Sequence, residues 1–210
     1  MTIQSIAGII VPLLIFVSEW MSVRGIFVPD RLSGEKVRPS RSTFWILTVL
    51  HGMLAVSYFK AGGGLAAGLS AAYAVAFLPS AILSIRYGYS RWSQTDTVCL
   101  VGAAVAGSLW WYTGVVLGWS TGESALLATI LLLLTQFLGI FPTIMKVRVA
   151  PFTENRNAWM LTVVASLVNV LTVETWGTVD YLYAAYMILE NGLVTYYIWR
   201  PLIQGRFRGR

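Results

Sequence analysis

Apolar runs of membrane-crossing length recur along this chain, and they restrict it to helices that span a bilayer. A helix rises ~1.5 Å per residue, so about twenty apolar residues match a ~30 Å hydrocarbon core. Runs of that order, separated by short charged or Gly/Pro-rich breaks, lie near residues 5–27, 43–60, 65–86, 97–118, 124–145, 157–174 and 180–199. In lipid the backbone has no water to bond, so each run must satisfy its own polar groups as a helix. The expected fold is an all-α membrane protein with seven transmembrane helices. Composition removes the soluble alternative: 57% of the 210 residues are hydrophobic and 11% charged, against ~25% charged in a soluble domain. A cytoplasmic enzyme, a secreted disulfide scaffold and a disordered regulator are thereby excluded. The net charge of +6 does not point to nucleic acid, because the basic residues sit between apolar spans rather than on one soluble face. Cys99, the only cysteine, lies inside an apolar run, so no intramolecular disulfide and no thiolate metal site is expected. Met1 to Ser5 carry no Lys or Arg, and no small-residue cleavage pattern follows, so no cleaved signal peptide is expected either.

Lysine and arginine resist translocation and so assign the sides. Arg24, Arg31, Lys36, Arg38 and Arg41 surround the first connection, Arg86 and Arg91 the third, and Lys146, Arg148 and Arg156 the fifth, while Arg200, Arg206, Arg208 and Arg210 end the chain. With seven crossings all of these share one side, and of the 15 basic residues only Lys60 falls on the other. The division places the amino terminus outside and the carboxyl terminus in the cytoplasm, with Glu123, Glu174 and Asp180 in outer loops. The tail arginines suit anionic lipid.

An internal repeat organises the spans. Gly25-Ile26-Phe27 recurs as Gly139-Ile140-Phe141, and Trp45-Ile46-Leu47-Thr48-Val49 as Trp159-Met160-Leu161-Thr162-Val163, with equal spacing between the two elements in both copies. Pro29 answers Pro142 with a one-residue shift, and Lys36-Val37-Arg38 answers Lys146-Val147-Arg148 with a gap. Pro79-Ser80 stands opposite Glu190-Asn191 in the weaker match of the third helices. Three helices reverse direction, so two parallel units need one further crossing between them. The organisation read from this is a first three-helix repeat (1–92), a linker helix (93–122), a second three-helix repeat (123–203) and a basic cytoplasmic tail (204–210).

This 3+1+3 plan, with a proline near the end of the first helix of each unit and a basic loop after it, resembles the SWEET and PQ-loop transporters. It is similar also to the nicotinamide riboside transporters. The resemblance implies a site at the midplane between two parallel units. The proline–glutamine dipeptide is replaced by Pro29-Asp30 and Pro142-Thr143, and of the paired substrate-binding asparagines one is present, Asn191, opposite Ser80. The chain resembles uncharacterised bacterial membrane proteins of similar length as well, which implies a bacterial plasma membrane.

An ionisable group in the bilayer core is expensive, so each is a functional candidate. Glu190 sits halfway along the last span beside Asn191, with Tyr183 and Tyr186 on its face. Glu19 lies two-thirds along the first span, where an ion pair with Arg24 competes with a functional role. His51 is the only histidine, mid-span, without metal-ligand neighbours. Trp159, Thr162, Ser166 and Asn169 line one face of the sixth span, opposite Trp45, Thr48, Gly52 and Ala55 in the second. The substrate site is therefore expected from Asn169, Glu190, Asn191 and Ser80, with Trp45 and Trp159 closing its cytoplasmic end. Glu190, Glu19 and His51 are the candidates for proton coupling.

The reading that follows is a small-solute transporter alternating access between the two repeats, with the bilayer, a small polar solute and a homo-oligomer or partner membrane subunits as partners. No cofactor, metal or enzymatic chemistry is expected, since no nucleophile–base pair, metal cluster or nucleotide loop is present. The alternative is a non-catalytic accessory or scaffold subunit of a larger membrane complex, docking through the aromatic fourth span. A retinal photoreceptor is excluded because the last span holds no lysine.

Overall fold

A computed structural model describes residues 2–60, 64–89, 92–117, 124–173 and 177–205. All secondary structure among them is helical: α1 (Ile3–Phe27), α2 (Arg41–Lys60), α3 (Gly64–Tyr87), α4 (Gln94–Trp110), α5 (Ser124–Val149), α6 (Arg156–Asn169) and α7 (Thr178–Ile203). A π-helical segment, Trp111–Val116, extends α4, and single 3-10 turns, Pro151–Thr153 and Val170–Thr172, flank α6. Each expected apolar run overlaps one of these helices, but the sixth run, expected over 157–174, leaves the α-helix after Asn169, and residues 118 and 174 lie outside the described residues. Arg91, Glu123, Glu174 and the tail residues Arg206, Arg208 and Arg210 lie outside the described residues.

Local chemistry sets the helix starts. The Thr2 hydroxyl accepts the Ser5 N–H at the head of α1, Ser93 and Asp96 form a capping box on α4, and the Asn155 side chain accepts the N–H groups of Asn157 and Ala158 on α6. The two prolines aligned in the sequence comparison behave differently. Pro29 lies beyond the end of α1, where the Asp30 carboxylate accepts the N–H groups of Leu32 and Ser33 at 2.9 Å and Gly34 adopts φ +69°. Such a turn needs the short acceptor and the glycine that this segment supplies. Pro142 has no turn-forming residues after it and lies inside α5, which runs on to Val149. Lys36-Val37-Arg38 is accordingly non-helical connection and Lys146-Val147-Arg148 is helix.

Helix α3 packs against both α1 and α2, and α7 against both α5 and α6. Between these two groups α1 faces α6 and α2 faces α5, while α4 lies against α5 and α2. Residues 28–40, 88–89 and 150–155 gather at one end: Tyr89 N–H donates to the Pro39 carbonyl, and Arg38 N–H to the Thr153 carbonyl. Three helical stretches, Ile3–Phe27, Gln94–Gly114 and Thr129–Val149, are long and apolar enough to cross a membrane. On α1 the exposed residues Ile9, Leu13, Phe16 and Trp20 recur at three- and four-residue steps, an apolar face suited to hydrocarbon. Helix α6 has 14 residues, and α7 carries Glu190 and Asn191 at its middle.

The glycines of the repeated Gly-Ile-Phe element mark close approaches. A Cβ at Gly25 would lie 2.5 Å from Val37 Cγ2, and one at Gly139 would lie 2.9 Å from Ile46 Cγ2 across the α5–α2 contact. Gly139→Val is expected to lower stability by about 1–3 kcal/mol through overpacking, despite the better helix propensity of valine. Thermal melting in detergent checks this, and a variant as stable as the wild type contradicts the tight α5–α2 seam.

Candidate functional site: a central polar cavity

The six helices other than α4 leave a cavity of about 40 Å³ between them, and each of the six contributes to its wall. Ser18, Glu19 and Ser22 come from α1, Thr43, Phe44, Leu47 and His51 from α2, and Tyr73 and Phe77 from α3. Opposite them stand Gln136 and Ile140 of α5, the Ala158–Ser166 face of α6, and Met187, Glu190 and Asn191 of α7. That volume holds a few water molecules.

Five of the sequence-nominated residues, Glu19, His51, Trp159, Glu190 and Asn191, meet at this cavity. Ser80 stands one bond behind it, donating to Glu19 Oε2 at 2.8 Å. Glu19 is buried, Arg24 is exposed, and neither of the two ion pairs among the described residues includes Glu19, so the pairing with Arg24 considered from sequence does not form. Trp45 is half-buried and lies off the lining. Asn169 also lies off it: α6 ends at that residue, and its carbonyl accepts the Thr172 hydroxyl at 2.7 Å.

Asn191 ties α7 to α6, donating to Ser166 Oγ at 3.0 Å and to the Met187 carbonyl at 2.9 Å. His51 stacks on Tyr73, with ring centroids 4.8 Å apart and planes 14° from parallel. Gln136 was not singled out from the sequence. Its Nε2 donates to Glu190 Oε1 at 2.8 Å and lies 2.8 Å from Met187 Sδ. The signal was available, since a lone amide within Leu131–Leu138 carries the same desolvation cost that picked out Glu190.

Toward the end that holds the connections, the cavity is closed by polar contacts that cross between the two helix groups. Ser18 Oγ donates to the Ala158 carbonyl at 2.9 Å and lies 3.0 Å from Thr162 Oγ1, and Thr143 Oγ1 donates to Thr43 Oγ1 at 3.0 Å. Beyond them Lys146 pairs with Glu154 and donates to the Arg38 carbonyl at 2.7 Å, while Glu154 Oε2 accepts Trp159 Nε1 at 3.1 Å. Asn155 donates to the Met21 carbonyl, and Arg156 reaches both Asp30 oxygens at 3.0 and 3.1 Å. On the opposite side the closure is apolar, with Val11, Ile15, Tyr73, Ala76 and Ala165 in one cluster and Leu50, Leu54, Trp110 and Leu132 in another.

Partial burial raises the Asp30 pKa, but the N–H groups of Ser33 and Leu32 and the Arg156 guanidinium outweigh it and hold the carboxyl below the ordinary range. A depressed folded-state pKa contributes stability that is full above the unfolded value of ~3.9 and disappears as pH falls through the folded value. The melting-temperature advantage of the wild type over Asp30→Asn is therefore expected to be flat from neutral pH to about pH 5 and to shrink below about pH 4. A constant difference down to pH about 3 removes the ionised pair from the account. The chain matches no known family, no curated protein and no solved structure.

Proposed function

We propose that this protein is a small-solute transporter that spans the membrane seven times, as two parallel three-helix units, 1–92 and 123–203, joined by a linker helix. The observation that carries the reading is the cavity walled by all six helices outside α4, where two buried acids and two amides stand among apolar neighbours. A scaffold gains nothing from buried carboxyls around a void, whereas a transporter needs polar groups at the midplane between units that can move apart. The packing supports the two-unit plan. The third helix of each unit lies between the first and second, and exchanging α1 with α5 and α2 with α6 turns the α1–α6 contact into the α5–α2 contact, as a two-fold axis along the membrane normal requires. The gathering of the basic connections at one end supports a cytoplasmic assignment for that end.

In this reading the polar closure is the cytoplasmic gate and the apolar clusters form the outer one. Glu19, Glu190, Asn191, His51 and Trp159 face the solute, Ser80 positions Glu19, and the site closes around a volume smaller than most solutes. Thermal melting of the detergent-purified protein across sugars, amino acids, nucleosides and vitamins tests it, paired with uptake by proteoliposomes. A saturable rise in melting temperature with one class, and saturable uptake of that class, is the expected result. No shift and no uptake, with another membrane protein co-purifying in fixed ratio, replaces it with the accessory-subunit reading.

A further inference from the structure

In the cavity wall, Gln136 Oε1 has no hydrogen-bond partner among the described residues, and Glu190 Oε2 has only the Tyr186 hydroxyl, one turn earlier on α7, to turn to. Both residues are buried, Gln136 at 1% and Glu190 at 8% exposed. Buried acceptors without donors are rare and costly, so their persistence here calls for a donor brought from outside. A second acid, Glu19, lines the same space, and the lining includes no Lys or Arg. Five aromatic residues, Phe44, the stacked His51–Tyr73 pair, Phe77 and Trp159, also line the space among hydroxyl and aliphatic side chains, and aromatic rings attract cations. The described residues hold no group of three metal-ligating side chains, which argues against a multivalent ion.

We propose that the cavity binds a small primary ammonium, between ammonium itself and methylammonium in size, with its N–H groups donated to Glu190 Oε2 and Gln136 Oε1. An ammonium supplies several donors and the compensating charge at once, and the about 40 Å³ available admits it without displacing a helix. This assignment names the substrate class of the proposed transporter and rests on that reading. A quaternary ammonium satisfies the rings but not the two oxygens and exceeds the space, and an alkali ion meets the charge and the rings but needs a fuller shell of oxygen ligands than these two side chains supply.

The test is isothermal calorimetry and thermal melting of the detergent-purified protein at pH 7.5, titrated with methylammonium chloride against equal concentrations of tetramethylammonium, sodium and potassium chloride. Saturable binding of methylammonium alone is expected. Glu190→Gln, which keeps the side-chain shape, should weaken it about tenfold or more, and Gln136→Leu similarly. Size-exclusion profiles and melting without ligand identify a variant that fails to fold, in which case Glu190→Gln alone decides. Equal response to all four salts, or none to any, overturns the ammonium assignment. A neutral or anionic solute that binds and is taken up while methylammonium does not would end this assignment and leave the transporter standing. Absence of every binding and uptake signal removes both.

Discussion

Replacing Lys146 with methionine lowers the stability of the folded protein by about 3–5 kcal/mol, the cost of leaving a buried carboxylate without its partner. The side chains of Lys146 and Glu154 are 3% and 1% exposed, so water cannot take over the role of either. Each holds a second contact between the helix groups or within the closure: Lys146 the Arg38 carbonyl of the first connection, Glu154 the indole N–H of Trp159 at the cavity wall. Glu154→Leu is expected to cost a similar amount by stranding the ammonium. The double variant Lys146→Met/Glu154→Leu recovers most of the loss, because a buried pair and its apolar replacement are close in free energy while a half-pair is not. Chemical denaturation in detergent micelles, run as a double-mutant cycle, measures all three. A single-variant loss below about 1 kcal/mol identifies the pair as hydrated and removes it as a fastening between the connections.

Much of the helical layout was legible because its signal is collective. About twenty apolar residues cannot be hidden by a few exceptions, and all seven runs became helices. The buried acids were legible individually, because the cost of placing Glu190 or Glu19 among apolar neighbours does not depend on knowing which helices surround them. What stayed hidden depends on facing and on helix length. Trp45 and Trp159 open the same sequence motif, yet one lies off the cavity and the other lines it, since a motif does not specify which way its helix is turned within the bundle. Asn169 follows Ser166 at helical spacing, but the spacing argument assumes a helix that continues, and α6 ends there in a 3-10 turn. Lys146 read as a loop cation because charge near the end of an apolar run ordinarily reaches water. Helix α5 instead continues through it, and Glu154, eight positions on across a tight connection, meets it inside. No local pattern announces that meeting.

Crosslinking Thr43→Cys to Thr143→Cys in a Cys99→Ala background should abolish uptake by the proposed transporter, to below about a tenth of the reduced protein, with full recovery in dithiothreitol. The two hydroxyl oxygens lie 3.0 Å apart between α2 and α5, and sulfur atoms at the same positions need approach only to ~2.05 Å. Ser18→Cys with Thr162→Cys offers the equivalent link between α1 and α6, again from oxygens 3.0 Å apart. These contacts lie one on each of the two interfaces between the helix groups, α2–α5 and α1–α6. If the two proposed units rock as bodies, either link alone holds this end of the bundle shut, so both variants must fail when oxidised and work when reduced. If instead a single helix moves to admit the solute, one link blocks and the other does not. Uptake that persists with either crosslink fully formed, as judged by mass spectrometry of the intact protein, ends the rocking mechanism. The solute would then have to pass this end of the bundle by a route that neither the α2–α5 link nor the α1–α6 link closes.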